Sequence, residues 1–99
     1  MRPTAMLAMA LAMLPLGAAA QETAARSLAA SCAACHGSEG RSVSKEVIAL
    51  AGLPKEHIVS QMKAFKDGTR PATVMHQLAK GYTDQQIDAI AGYFAAQKK

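Results

Sequence analysis

The chain is poor in the residues that ordinarily build a small core. It has no tryptophan and only four aromatic side chains, Phe65, Tyr82, Tyr93 and Phe94, in 99 residues. Aromatic side chains bury the most apolar area per residue, so a chain this short needs another source of buried volume. Its two cysteines are too few for a multi-disulfide framework and supply only half the ligands of a four-cysteine zinc site. Its Lys and Arg residues are scattered, so a formal net charge of +4 lacks the clustered footprint of a nucleic-acid binder. No apolar run reaches the roughly 20 residues of a membrane-spanning helix.

What is present begins with a leader. Met1-Arg2-Pro3 carries one charge, residues 5–16 are almost all Ala, Leu and Met, and Ala18-Ala19-Ala20 follows. A charged start, a short apolar stretch and an A-x-A site read as a secretory signal peptide. The expectation is cleavage after Ala20, with residues 21–99 as the domain and the periplasm as its location. Met1, Met6, Met9 and Met13 leave with the leader, so Met62 and Met75 are the methionines that remain. The remaining 79 residues carry ten basic and seven acidic side chains. A domain of that size buries only about 60–65% of its unfolded surface and usually needs a staple such as a cofactor.

Cys32-Ala33-Ala34-Cys35-His36 supplies one. C-x-x-C-H is the attachment pattern of a c-type haem: two thiols for the porphyrin vinyl groups, then an imidazole for the iron. The competing readings are weaker. A disulfide across so short a loop would staple almost nothing. A thioredoxin-like pair needs a strand before a helix, and no strand period precedes Cys32. Haem attachment takes place outside the cytoplasm, in agreement with the leader.

The organisation is helical. Thr23 to about Cys35 holds good helix formers and no breaker, and Gly37 and Gly40 close it. Pro54 at a first helical position opens a helix over 55–67, ended by Gly68, with Ile58, Met62 and Phe65 on its apolar face. Residues 68–74 form a loop, and His76 to Lys80 a helical turn. Thr83 with Gln86 three positions on is a capping box. It opens a last helix that buries Ile87, Ile90, Ala91 and Phe94 and ends in Lys98 and Lys99. The fold class is all-α, three to four short helices with long connections wrapped around a cofactor.

A haem iron has a second axial position, whose occupant separates electron transfer from ligand chemistry. The candidates are Met62, Met75, His57 and His76. Met62 lies on an apolar helix face and reads as core. His57 lies on the polar face of the same helix and reads as a solvated surface residue. Met75 follows Pro71 in an irregular loop, 39 residues after His36, enough chain to pass around a haem. His76 is adjacent, and spacing alone does not separate it from Met75, the favoured ligand. Lys63, Lys66, Arg70 and Lys80 surround that loop in sequence as a candidate docking rim.

C-A-A-C-H-G at 32–37, a late loop methionine and I-A-G-Y-F at 90–94 make the chain resemble class I c-type cytochromes over residues 22–97. Three further segments, A-G-L-P (51–54), Q-M-K-A-F-K-D-G-T-R-P-A-T-V-M (61–75) and A-K-G-Y-T-D-Q-Q-I (79–87), are similar to the c4/c5-like group. Within it they most resemble the cytochrome subunits of flavocytochrome c sulfide dehydrogenases. The resemblance implies thioethers at Cys32 and Cys35, axial ligation by His36 and Met75, and a close crossing of the first and last helices, allowed by Gly92 and the alanines of the first helix. It departs at Ile48, where related sequences place a proline, and leaves open which backbone carbonyl orients His36. The implied function is one-electron transfer with one haem c, as a subunit receiving electrons from a sulfide-oxidising flavoprotein. The alternatives are a free shuttle to a terminal oxidase, reductase or photosynthetic centre, and a haem-based ligand sensor with an open iron site.

Overall fold

Packed pairs of helices and one long loop set the architecture. The computed structural model describes residues 16–99, and the charged start and most of the apolar stretch expected of the leader, residues 1–15, lie outside the described residues. Five α-helices follow one another: α1 (Leu16–Ala30), α2 (Ala33–His36), α3 (Lys55–Asp67), α4 (Met75–Lys80) and α5 (Asp84–Ala95), with a 3-10 turn at Ser38–Gly40. Among the described residues there is no strand. α1 packs on α5, and α3 packs on both α4 and α5.

α3 has the bounds its sequence announces. It begins after Pro54, which stands as the N-cap with extended ψ (136°) rather than as the first helical residue, and it ends at Gly68 in the left-handed conformation (φ 84°). α5 is opened by a complete capping box. The Gln86 amide donates to Thr83 Oγ1 at 3.1 Å, and the Thr83 amide donates to Gln86 Oε1 at 2.9 Å. Two orphan donors of the first turn are thereby satisfied.

Several expectations need correcting. The first helix does not run unbroken to Cys35; it stops at Ala30 and restarts at Ala33. At the break the Ser31 hydroxyl donates to the Leu28 carbonyl at 3.3 Å, the local bonding by which serine competes with a helix ladder. Met75 does not lie in the loop but is the first residue of α4, one position before the expected turn. Lys98 and Lys99 lie beyond the end of α5. There the Lys98 carbonyl accepts from Arg41 Nε at 2.8 Å, and the Lys99 side chain covers Gly52. The tail folds back on the long loop instead of serving the helix dipole.

The core is small. Its buried members are Ala29, Ile58, Met62, Ala79, Ile87, Ile90, Ala91 and Phe94. All four residues of the expected α5 stripe are no more than 2% exposed. Tyr93 meets Phe94 edge-on, ring centres 5.2 Å apart. Ala29 and Ala91 provide the small buried surfaces of α1 and α5. Gly92 does not admit α1 as expected. A Cβ built there would meet only the Lys55 side chain, at 3.8 Å or more, an ordinary contact. On the N-terminal part of α1, Gly17 and residues 19–24 are all exposed.

Candidate functional site

Between these helices lies a cavity of about 510 Å³, within the range of small-molecule and cofactor sites. Its lining is mostly apolar. Leu53, Ile58, Met62 and Phe65 come from α3 and the residues before it, Ile90 and Phe94 from α5, and Val74 and Leu78 from around α4. Into this one space the fold brings Cys32, Cys35, His36 and Met75. A second groove, of about 660 Å³, runs outside α3 past Lys55, Lys63, Asp67 and Asp88; it is open to solvent and holds none of the candidate site residues.

α2 carries the C-x-x-C-H motif, and a short turn of helix is what points both thiols and the imidazole into one cavity. The backbone bonds are local: Cys32 N to Ala29 O at 3.0 Å and His36 N to Cys32 O at 2.9 Å. Cys32 and Cys35 are not joined to each other. Burial pushes the Cys32 thiol up, and the Ser31 hydroxyl only partly opposes this. Reactive dithiols have depressed thiols, and the Cys32 environment runs the other way.

His36 is oriented by main chain. Its Nδ1 lies 2.7 Å from the carbonyl oxygen of Ile48. A carbonyl only accepts, so Nδ1 carries the hydrogen and donates, and Nε2 is left with its lone pair. That tautomer is the one a metal-ligating histidine adopts when its other nitrogen is held by a backbone carbonyl. The acceptor to which the missing proline drew attention is therefore the carbonyl of the residue in the proline's own place. No sequence pattern marks a carbonyl, which is why residue reading alone left it open.

The loop that presents Ile48 is clamped at its neck. The Gly40 carbonyl accepts from Leu50 N at 2.8 Å and Ala51 N at 3.2 Å, and Gly52 N donates to the Phe94 carbonyl at 2.9 Å. Gly40 must be glycine on two counts. Its φ is +80°, and a Cβ would meet Phe94 at 2.7 Å and the Ala51 nitrogen at 2.9 Å.

The four candidates for the second iron ligand fare differently. Met75 is half-buried and lines the cavity. His76 does not line it, and its Nδ1 is buried without a hydrogen-bond partner. Met62 lines the cavity from within the core, 8% exposed, as its helix face foretold. His57 is exposed, as expected, yet it also reaches the cavity rim, which its assignment to a purely solvated face missed.

Three residues of the candidate basic rim have separate engagements. Lys66 Nζ donates to the Tyr82 carbonyl at 2.5 Å and lies 3.9 Å from Asp84. Lys63 lines the outer groove. Arg70 alone of the four lines the cavity, with its guanidinium 4.7 Å over the Phe65 ring and hydrogen-bonded to Gln61. One contact was not legible from the residues: Ser31 Oγ and the Tyr82 hydroxyl are 2.9 Å apart.

The donor set fits a covalently held haem. It offers two thiols three positions apart, an imidazole with a free Nε2, a thioether, and an apolar enclosure whose few polar lining groups, among them His57, Gln61 and Arg70, can meet carboxylates.

Comparison with known proteins agrees. The family model described as Cytochrome c matches residues 21–98. The cytochrome subunit of sulfide dehydrogenase from Chlorobaculum tepidum is 45% identical over 67 residues, 68% of this chain and 60% of that protein. Cytochrome c4 from Pseudomonas aeruginosa is 40% identical over 81 residues, 82% of this chain and 40% of that protein. A thiosulfate dehydrogenase electron acceptor from Thiomonas intermedia is 39% identical over 71 residues, 71% of this chain and 33% of that protein. The chain thus spans 60% or less of the length of each of these three relatives.

Proposed function

The chain belongs to the cytochrome c family as an electron carrier with one covalently bound haem c, and we propose that Cys32 and Cys35 form its thioethers and His36 and Met75 its axial pair. The observation that carries this reading is the His36–Ile48 contact, which leaves Nε2 free within a cavity that Met75 also lines. When bound, the haem supplies a one-electron ferric–ferrous couple.

The chain's residues set the terms of that couple. The Ile48 carbonyl holds the His36 tautomer and makes Nε2 a stronger donor. A methionine thioether as second ligand raises the reduction potential relative to a second histidine. Ile58, Met62, Ile90 and Phe94 exclude water from the cavity and lower its dielectric. Ile48, Val74 and Leu78, each more than half exposed, line the same cavity and leave an edge where electrons can enter.

The role proposed for the carrier is that of a cytochrome subunit taking electrons from a sulfide-oxidising flavoprotein. Support comes from the sulfide dehydrogenase cytochrome subunit, which shares the highest identity of the three relatives and is the one this chain covers most fully. The c4 and thiosulfate dehydrogenase acceptor relatives favour a second reading, a free shuttle. Export and removal of residues 1–20 are part of the proposal. The family match opens at residue 21, and residues 19–24, on both sides of the expected cleavage point, are exposed. No helix among the described residues is long and apolar enough to cross a membrane.

Two measurements test these assignments. The mature holoprotein, pulled down from its own periplasm with flavin absorbance monitored, is expected to bring a flavoprotein with it; recovery free of flavin supports the shuttle. The ferric protein is expected to show a sulfur–iron charge-transfer band. Met75→Ala is expected to abolish the band, lower the potential and admit carbon monoxide to the ferrous form. An unchanged band and potential in that variant overturn the Met75 assignment, and an open site in the unaltered protein favours a ligand sensor.

A further inference from the structure

The sequence gives Tyr82 no part in the site, yet three elements meet on it. Its hydroxyl lies 2.9 Å from Ser31 Oγ, across 51 residues of chain. Its carbonyl accepts from Lys66 Nζ of α3 at 2.5 Å, and its amide donates to the Ala79 carbonyl of α4 at 3.2 Å. Both Ser31 and Tyr82 line the cavity.

The position of each partner gives the contact its meaning. Ser31 immediately precedes Cys32, so it is as fixed relative to the haem edge as the thioether makes it. Tyr82 ends the short stretch that begins with Met75, and α4 is only six residues long, about 9 Å of helix. Upstream, Val74 caps α4 without a side-chain hydrogen bond and is 55% exposed, while Met75 packs against the core. We propose that the Ser31–Tyr82 hydrogen bond is a latch that holds the Met75-bearing helix against the haem-attached segment, making Tyr82 and Ser31 positioning residues for the axial thioether. This rests on the reading of Met75 as ligand.

The Ser31 hydroxyl donates to the Leu28 carbonyl, so the Tyr82 hydroxyl donates to Ser31 Oγ, and the latch needs one hydroxyl on each side and no charge. A net hydrogen bond is worth roughly 0.5–1.5 kcal/mol, which is roughly two- to tenfold in an equilibrium between ligated and detached thioether. A group that only supported the fold would lower the unfolding temperature and leave that equilibrium alone.

The test uses the mature holoprotein and imidazole as an external ligand for the ferric iron. Tyr82→Phe keeps the ring and removes the hydroxyl; Ser31→Ala removes the other; Ser31→Thr restores it. Tyr82→Phe and Ser31→Ala are each expected to bind imidazole roughly two- to tenfold more tightly than the parent. They should also lose the charge-transfer band at lower temperature, before helix content falls. Ser31→Thr is expected to match the parent, and the double variant Ser31→Ala/Tyr82→Phe to match either single one. Imidazole affinity and band stability unchanged in both single variants, or effects that add in the double variant, overturn the latch while leaving Met75 as ligand. A parent protein without the band overturns the ligand reading, and the latch with it.

Discussion

Around His36 the main-chain carbonyls carry most of the ties between segments, whereas around Met75 side chains add long-range ties to the helix's own backbone bonds. On the His36 side, carbonyls of Ile48, Gly40 and Phe94 each take a hydrogen bond that ties the long loop to its neighbours, and Gly40 sits directly against buried Phe94. On the Met75 side, α4 has no side-chain cap. Its neighbours are held by Lys66 on Tyr82, by Ser31 on Tyr82 and by Arg70 on Gln61 and Phe65. Backbone bonds at the neck of a loop cost little additional entropy to keep, whereas long side chains lose rotamer freedom each time they engage. On the proposed ligation, His36 is expected to stay in place and Met75 to detach more readily.

The largest expected effect removes the distinction altogether. Cys32→Ser/Cys35→Ser, expressed without haem, loses what fills a cavity of about 510 Å³ in a domain whose core is eight residues, three of them alanine. The expected circular-dichroism spectrum has little helix and no cooperative melt. A cooperative melt would mean that the main-chain side is self-sufficient.

A matched pair of substitutions sharpens the comparison next. Gly40 and Gly68 both have φ near +80°, but a Cβ collides with Phe94 and the Ala51 nitrogen at the first and meets nothing within 4 Å at the second. Gly40→Ala is expected to cost about 3 kcal/mol, strain plus overpacking, and Gly68→Ala about 1 kcal/mol. Denaturant melts of the two holoproteins check this; equal costs would remove the contrast in packing between the two sides.

The smallest effect is local to the Met75 side. Asp67 Oδ1 accepts from the Thr69 amide at 3.0 Å and from the Thr69 hydroxyl at 2.7 Å. These bonds hold its carboxyl below the ordinary value of 3.8. A carboxyl lowered in the folded state adds stability that is present above its ordinary value and is lost as pH falls through the lowered one. A carboxyl titration followed by NMR is expected to place Asp67 below 3.8 in the parent and closer to it in Thr69→Val. An unshifted Asp67 would show that the turn after α3 is not fixed by this carboxylate.

The sequence disclosed the parts that depend on local chemistry. Pro54 and Gly68 bound α3, Thr83 and Gln86 open α5, and 3.6-residue spacing finds Ile87, Ile90, Ala91 and Phe94, because caps and periodicity are written within a few residues of where they act. The C-x-x-C-H motif at 32–36 is legible for the same reason. Long-range and main-chain features were not. The hydroxyl pair Ser31–Tyr82 spans 51 residues, the Ile48 carbonyl has no letter of its own, and Gly92 was assigned to α1 although its open side faces Lys55. The break in the first helix also escaped notice, since Ser31 is a tolerable helix residue until its hydroxyl turns back on Leu28.

That His36 leans on a carbonyl has a consequence for how this molecule tolerates mutation. Every amino acid at position 48 presents the same oxygen, so exchanging the exposed isoleucine side chain should leave the imidazole's electronic state unaltered. Removing a single residue between Gly40 and Leu50 would instead carry a different peptide group to the ring, or none. The inheritance of this contact is thus guarded by the length of a loop and is nearly indifferent to its spelling.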